Sequence, residues 1–423
     1  MARLERKRVS TTISLLMLAL AGAFVPLMVP APAEAQTFTV LHTFTGGGDG
    51  SQPVAGLTMD RGGNLYGTTS AGGAGYGTVF KLTHTGSAWV ETTLYTFQGG
   101  MDGAMPQARV VFGPDGTLYG TTTYGGSGAG TVFNLRPPAT FCRSILCPWS
   151  ETVLYRFTGG ADGSEPIYGD LTFDAAGNIY GTASGGGGGC SLYGGCGVVF
   201  KFSRSGGGWI ENVLYRFVDG IGQTPTSGVI FDSAGNLYGT LLYGGTHGRG
   251  TVYELTPSGP GWKQTTLYSF GAAPDGGNPY GGLVFDQQGN LYGTTFDGGA
   301  GNGGTVYQLQ PMGGNWTYTT LYSLPENQGA YDGPTMDSSG NLYATTVGGG
   351  NGLGNVFELS PGANGWIPTD LHDFSFQHLE QGYFPVGGVV LDAHGNLYGT
   401  TASGGNMGPG CGEGCGVVWE ITP

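Results

Sequence analysis

The sequence predicts an all-β fold, a seven-bladed β-propeller with four antiparallel strands per blade. Three observations predict it. First, the stretch Gly-Asn-Leu-Tyr-Gly-Thr-Thr at residues 63–69 recurs, with its tyrosine at Tyr66, Tyr119, Tyr180, Tyr238, Tyr292, Tyr343 and Tyr398. The spacing of about 50–60 residues means one supersecondary unit repeated. Second, each period holds four short runs rich in β-branched and aromatic residues, bounded by Gly, Asp, Asn or Pro, which is the signature of strands. No window has helical periodicity. Third, the ends are complementary: the last repeat stops after its third run, at residues 416–421, and the missing fourth run is found at residues 38–44. The N-terminal strand therefore closes the last blade. Horseshoe and β-helix repeats are shorter and carry fewer strands.

The first element is a leader. Arg3, Arg6, Lys7 and Arg8 form a basic start, residues 13–29 are apolar, and Ala33-Glu34-Ala35 is a small-x-small cleavage site. This predicts a secretory signal peptide over 1–35 and a propeller over 36–423. Pro26 and Pro30 argue against an uncleaved anchor, and no later run is long enough to span a bilayer. The mature protein is expected to be exported, periplasmic or extracellular, and monomeric. The chain carries 29 acidic against 15 basic residues, a formal charge of −14. Such a surface repels phosphate backbones and anionic lipid, which excludes nucleic-acid binding. Glycine is 88 of 423 residues without a Gly-X-Y period, so collagen is excluded, and 39% apolar residues suffice for a core.

Within a repeat, run a is Gly-Leu-Val-Phe-Asp (residues 282–286) and run b is the Asn-Leu-Tyr-Gly-Thr-Thr stretch. Run c is Gly-Thr-Val-Phe-x-Leu, starting at Gly77, Gly130, Gly197, Gly250, Gly304, Gly354 and Gly416. Run d is Trp-x-x-Thr-x-Leu-Tyr-x-Phe, as at residues 89–97. The a–b turn, Asp-x-x-Gly-Asn, predicts an aspartate capping a bulged hairpin. Calcium binding by these aspartates is the alternative; no other cofactor is expected. The six cysteines fall in close pairs, Cys142 and Cys147, Cys190 and Cys196, Cys411 and Cys415. No histidine lies between partners and the compartment is oxidising, so local disulfides are expected rather than a metal site.

These motifs resemble the bacterial "GloVer" (Gloeo_Verruco) tandem-repeat family of exported proteins, marked by Gly-Asn-Leu-Tyr-Gly-Thr-Thr followed by Gly-Gly and Gly-Thr-Val-Phe. The resemblance covers the mature chain. It implies fold and location, with no established reaction. The resemblance implies one of several C-terminal surface anchors; the last repeat runs up to Pro423, and no anchor is expected here. The a–b hairpin is also loosely similar to that of NHL-repeat and lactonase- or lyase-type propellers, a likeness of fold alone.

Strand alternation places the b–c loops and d–a loops on one face, where ligands usually meet a propeller. The d–a loops carry Asp49, Asp102, Asp162 and Asp275. Candidate site residues are those that break the chain's own repeat. One position reads Gly56, Arg109, Asp170, Gly228, Gly282, Gly333 and Gly388 around the seven repeats. Arg109 and Asp170 break that column, as a charged site or as a mutual ion pair. Two d–a loops also depart, residues 325–334 with Glu326, Asn327, Tyr331 and Asp332, and residues 375–385 with His378, Glu380 and Tyr383. Tyr124, Tyr243 and Phe296 are placed to stack on sugar rings or to cover the neighbouring loop. His42 and His372 occupy the tyrosine place of run d, which packing explains. No hydrolase elbow, zinc-protease motif, phosphate loop or dinucleotide fingerprint is present. The reading is an exported, non-catalytic propeller that binds a polysaccharide or a surface protein. The alternative is an extracellular lyase or hydrolase using acidic residues and His378 near the channel.

Overall fold

A computed structural model describes residues 36–86, 88–138, 149–190, 194–271, 273–349, 352–408 and 410–423. Among them are seven four-stranded antiparallel sheets, each the blade of a propeller. The first blade runs a Thr58–Met59, b Leu65–Thr69, c Thr78–Thr85 and d Ala88–Thr96. In the seventh blade, Val390–Leu391, Leu397–Thr401 and Val417–Thr422 are joined by Thr37–Thr43 as the outermost strand. Thr37 pairs with Thr422 and Thr43 with Val417. The predicted closure by the N-terminal strand is therefore what is found.

Strand a differs from its expectation, because it pairs with strand b over only two residues in each blade. The residues just before it are engaged elsewhere. Their carbonyls accept a hydrogen bond from the preceding blade, as when Thr68 Oγ1 donates to Ala108 O at 3.1 Å. Strand d carries a bulge in all seven blades. In the first blade Val79 pairs with Tyr95 while Phe80 pairs with Thr93, which leaves Leu94 unpaired and buried in the core. Such an extra residue increases the local twist.

The repeated heptapeptide is a seam between blades. In the third blade, Asp174 Oδ1 accepts the N–H groups of Ala176 and Asn178 at 3.0 and 2.9 Å. Its Oδ2 accepts Asn178 Nδ2 and Tyr180 Oη at 2.7 and 3.0 Å. Burial works against ionisation, but these hydrogen bonds outweigh it and hold the carboxyls of Asp60, Asp174, Asp232 and Asp392 below the ordinary value. In the third blade four donors converge on the two Asp174 oxygens, so that carboxylate serves as a hairpin staple.

The tyrosine fixed in this way packs its ring on the next blade. Tyr180 meets Phe231 edge-on at 4.9 Å, and Tyr398 of the last blade meets Trp89 of the first at 6.1 Å. The glycine that follows leaves room for the core. A Cβ on Gly67 would stand 2.5 Å from Phe80 and 2.9 Å from Leu57. The first threonine ties to the next blade, and at closure Thr400 Oγ1 donates to Ala55 O at 2.9 Å. The second bridges strands b and c through its hydroxyl, as between Thr69 and Thr78 at 2.8 Å.

A further seam joins the start of strand c to the next blade's d–a loop. Gln52, Met105, Glu165, Thr224, Asn278 and Phe384 all hold positive φ, between 53 and 62°. Each donates its N–H to the preceding blade and accepts from the residue that follows its own strand b. For Met105 the partners are Tyr76 O at 2.9 Å and Thr123 N at 3.1 Å. The proline after each of these residues sits against the glycine that opens the preceding blade's strand c.

The b–c and d–a loops lie on one face, because they bridge each other at Ser51–Ala71, Ala104–Tyr124, Ser164–Gly185, Gln223–Tyr243 and Tyr383–Ser403. Disulfides join Cys190 to Cys196 and Cys411 to Cys415, both with Cα atoms 5.1 Å apart. The expected Cys142–Cys147 pair lies outside the described residues, as does the leader.

Candidate ligand-binding site at the channel mouth

Strand a of each blade faces the axis, so the residues just before it line the channel. The repeat therefore stacks side chains in rings. The column containing Arg109 and Asp170 forms one ring. Two residues upstream, Val54, Gln107, Tyr168, Thr226, Tyr280, Tyr331 and Val386 form the rim. Six of those seven rim residues line a cavity that opens on the loop face, with Arg109, Asp170 and Asp332 at its base. The same three charged residues also border a wider cavity on the opposite side, walled by the a strands. They form a plug between the two.

Arg109 Nε stands 2.7 Å from Asp170 Oδ2, and the Arg109 N–H donates to Asp170 Oδ1 at 3.1 Å. Across the channel, Arg109 Nη2 is 3.5 Å from Asp332 Oδ2. Asp332 in turn accepts the N–H groups of Gly388 and Gly333 at 2.6 and 2.7 Å. One guanidinium thus links the second, third and sixth blades, and Asp332 extends the link to the seventh. The three side chains are 25%, 34% and 29% exposed, but only to the channel. Asp170 chiefly raises the proton affinity of Arg109, against the effect of burial, so the guanidinium stays charged. Burial raises that of Asp170 despite Arg109.

The rim is aromatic on one side. Tyr280 and Tyr331 are 4.8 Å apart, and Phe296 lies 5.6 and 4.9 Å from them. Burial, then neighbouring phenols, raises the Tyr168 and Tyr280 hydroxyls above their ordinary value, and Tyr243 hydrogen-bonds Tyr280. Burial, then Asp297, raises Tyr331. These phenols remain protonated and serve as hydrogen-bond donors and acceptors. Val54 and Val386 supply an apolar wall opposite.

Arg109, Asp170, Tyr331 and Asp332, singled out in the sequence, meet in this cup. The other candidates do not. Glu326 is exposed on its loop. His378 and Glu380 pair at 3.1 Å on the surface, 57% and 70% exposed. Tyr383 donates to Glu413 O at 2.7 Å in the seventh blade's loops. Asp102 and Asp162 hold their d–a loops closed through Gln98 N and Thr158 N, both at 2.8 Å. Tyr168 and Tyr280 were not singled out; counting two residues back from the glycine column finds them. The one group of His, Cys, Asp or Glu side chains close enough to hold a metal, among the described residues, is Cys190, Cys196 and Asp219, and its sulfurs are joined as a disulfide.

The repeat named for Gloeobacter and Verrucomicrobia matches residues 30–217 and 188–411. The chain belongs to that repeat family. No curated protein matches it in sequence. Among solved structures, this Gloeobacter/Verrucomicrobia repeat protein is similar to the extracellular domain of a one-component system from B. thetaiotaomicron, at 12% identity and a TM-score of 0.55. The match covers 90% of this chain but 40% of the other, so this chain spans two fifths of that extracellular-domain chain. It is also similar to a fungal alcohol oxidase of the AA5 family in complex with copper, at 15% identity, a TM-score of 0.53, and coverage of 91% and 76%. At these identities the likeness is one of fold. No helix among the described residues is long and apolar enough to cross a membrane.

Proposed function

We propose that this is an exported, non-catalytic binding propeller whose channel-mouth cup holds the end of a carbohydrate chain. The cup carries the reading. Sugars present apolar C–H faces and hydroxyl edges, and a site for them needs aromatic rings beside fixed polar groups. Tyr168, Tyr280 and Tyr331 supply rings, while Gln107, Ser227 and the Arg109–Asp170–Asp332 plug supply donors and acceptors. The plug closes the base of the cup, so a chain enters end-on and does not thread through the ring. Export is supported by the leader pattern and by the two disulfides, which persist in oxidising compartments.

The experiment is a glycan array with residues 36–423, wild type beside Tyr331→Ala. Saturable binding that the substitution reduces at least tenfold supports the reading. Binding to no glycan, or binding indifferent to Tyr331, sinks it.

A further inference from the structure

Resting on that carbohydrate reading, we infer that the cup selects a sugar carrying a free amine over its neutral and acidic counterparts. The charges in the cup decide this. Arg109 is the one basic residue in its lining, against Asp170 and Asp332. Asp170 takes both the side chain and the backbone N–H of Arg109, at 2.7 and 3.1 Å. Asp332 is left with the longer 3.5 Å contact. Its other partners are the backbone N–H groups of Gly388 and Gly333. Those dipoles orient the carboxylate and carry no formal charge, so one negative charge in the base of the cup stays uncompensated.

A second carboxylate stands at the rim. Asp297, on the fifth blade's b–c loop, acts electrostatically on the Tyr331 hydroxyl. Its side chain makes no hydrogen bond or ion pair among the described residues, although its backbone carbonyl accepts from Thr295 Oγ1 at 3.0 Å. The same rim carries the clustered rings of Tyr280, Phe296 and Tyr331, whose centroids are 4.8 to 5.6 Å apart. Electron-rich ring faces attract cations, and more so where water is confined. The chain as a whole, at −14, adds a field of the same sign. A ligand anion would meet repulsion from the two carboxylates, the ring faces and the overall field, with Arg109 already engaged by Asp170. A neutral sugar gains hydrogen bonds and stacking only. A protonated sugar amine gains those and the charge.

The test compares two oligomers of one backbone, a β-1,4-linked glucosamine oligomer and its fully N-acetylated form, titrated calorimetrically into residues 36–423 in mildly acidic buffer. Acetylation keeps the rings and hydroxyls and removes the charge. At low salt the free amine should bind about tenfold more tightly, a difference of ~1.4 kcal/mol, and high salt should erase most of that preference. Asp332→Asn and Asp297→Asn should each reduce the preference several-fold. Asp297→Asn has no side-chain partner to lose, so it should fold as the wild type does and keeps the test open if Asp332→Asn does not. Equal or tighter binding of the acetylated oligomer overturns the inference, as does a preference that neither substitution changes. Binding of other glycans with neither oligomer bound overturns the amine selection alone. Binding of no glycan overturns the carbohydrate reading with it.

Discussion

Two glycines in one loop test how the blades are joined. Gly128 and Gly130 both lie in the second blade's b–c loop, with φ of +101 and +98°. Alanine at either position carries the same backbone penalty, roughly 1–2 kcal/mol for an L-residue held at positive φ. Their surroundings differ. A Cβ on Gly128 meets nothing within 4 Å, whereas one on Gly130 would stand 2.4 Å from Thr122 O, 2.7 Å from Pro166 Cδ and 2.9 Å from Thr123 O. Two of those atoms are backbone and the third belongs to a proline ring of the next blade, so none can rotate away. Overpacking of that kind adds about 1–3 kcal/mol. Gly130→Ala should therefore lose roughly 2–5 kcal/mol and Gly128→Ala roughly 1–2. Urea unfolding of residues 36–423 measures both, provided the m-value is unchanged. Equal losses would refute the claim that the glycine at the start of strand c is required by the blade seam.

Other substitutions probe other parts of the ring. The proline partner of this seam is missing once, at the buried Ala330, which makes no backbone N–H hydrogen bond among the described residues. Ala330→Pro should stabilise by about 0.4–1 kcal/mol through the unfolded chain, seen as a raised urea midpoint. Burial, then the nearby Asp102 and Asp162, raises Glu151 and Glu211 from 4.5 to about 7. The fold then holds protons that the unfolded chain releases, so this stability is complete below pH 4.5 and is lost as pH rises through about 7. Glu151→Gln with Glu211→Gln, following Gln264 at the same place in the fourth blade, should gain stability at pH 8 and little at pH 4. Each tenfold change in proton affinity that survives solvent relaxation contributes ~1.4 kcal/mol, read from urea midpoints across pH. Asp174 is displaced in the opposite direction, below its ordinary 3.8. Its contribution is present above that value and is lost as pH falls through the lower folded value. Asp174→Ala should cost about 2–4 kcal/mol near neutral pH, with the loss shrinking in strong acid.

Much of this was legible in the residues, because a repeat states its constraints many times. The Asn-Leu-Tyr-Gly-Thr-Thr stretch announces a strand, and six aspartates at one spacing announce a capped hairpin. The chain's missing last strand and surplus first strand announce closure. Arg109 and Asp170 could be found because they break a glycine column. Asp332 joins them from one position upstream, beside Gly333, where the column itself stays regular. Its loop looked unusual, but its reach across the axis depends on three blades meeting at the channel, which no local pattern encodes. The rim tyrosines were hidden for a related reason. Tyr168 and Tyr280 sit in loops whose spacing varies, and only the register of strand a aligns them. His378 and Glu380 were conspicuous as rare ionisable residues, yet their loop extends over the outer part of the seventh blade. Rarity in composition located charge, and topology decided where that charge gathers.

A crystal structure of residues 36–423 with the tightest glycan from the array tests most directly whether the cup above Arg109 is the binding site. A sugar ring is expected against Tyr280 and Tyr331, with its polar groups within hydrogen-bond distance of Asp332 or Gln107 and no chain passing the plug. A sugar seated on the outer strands or on the loops of His378 and Glu380, with the cup free of it, would contradict the account.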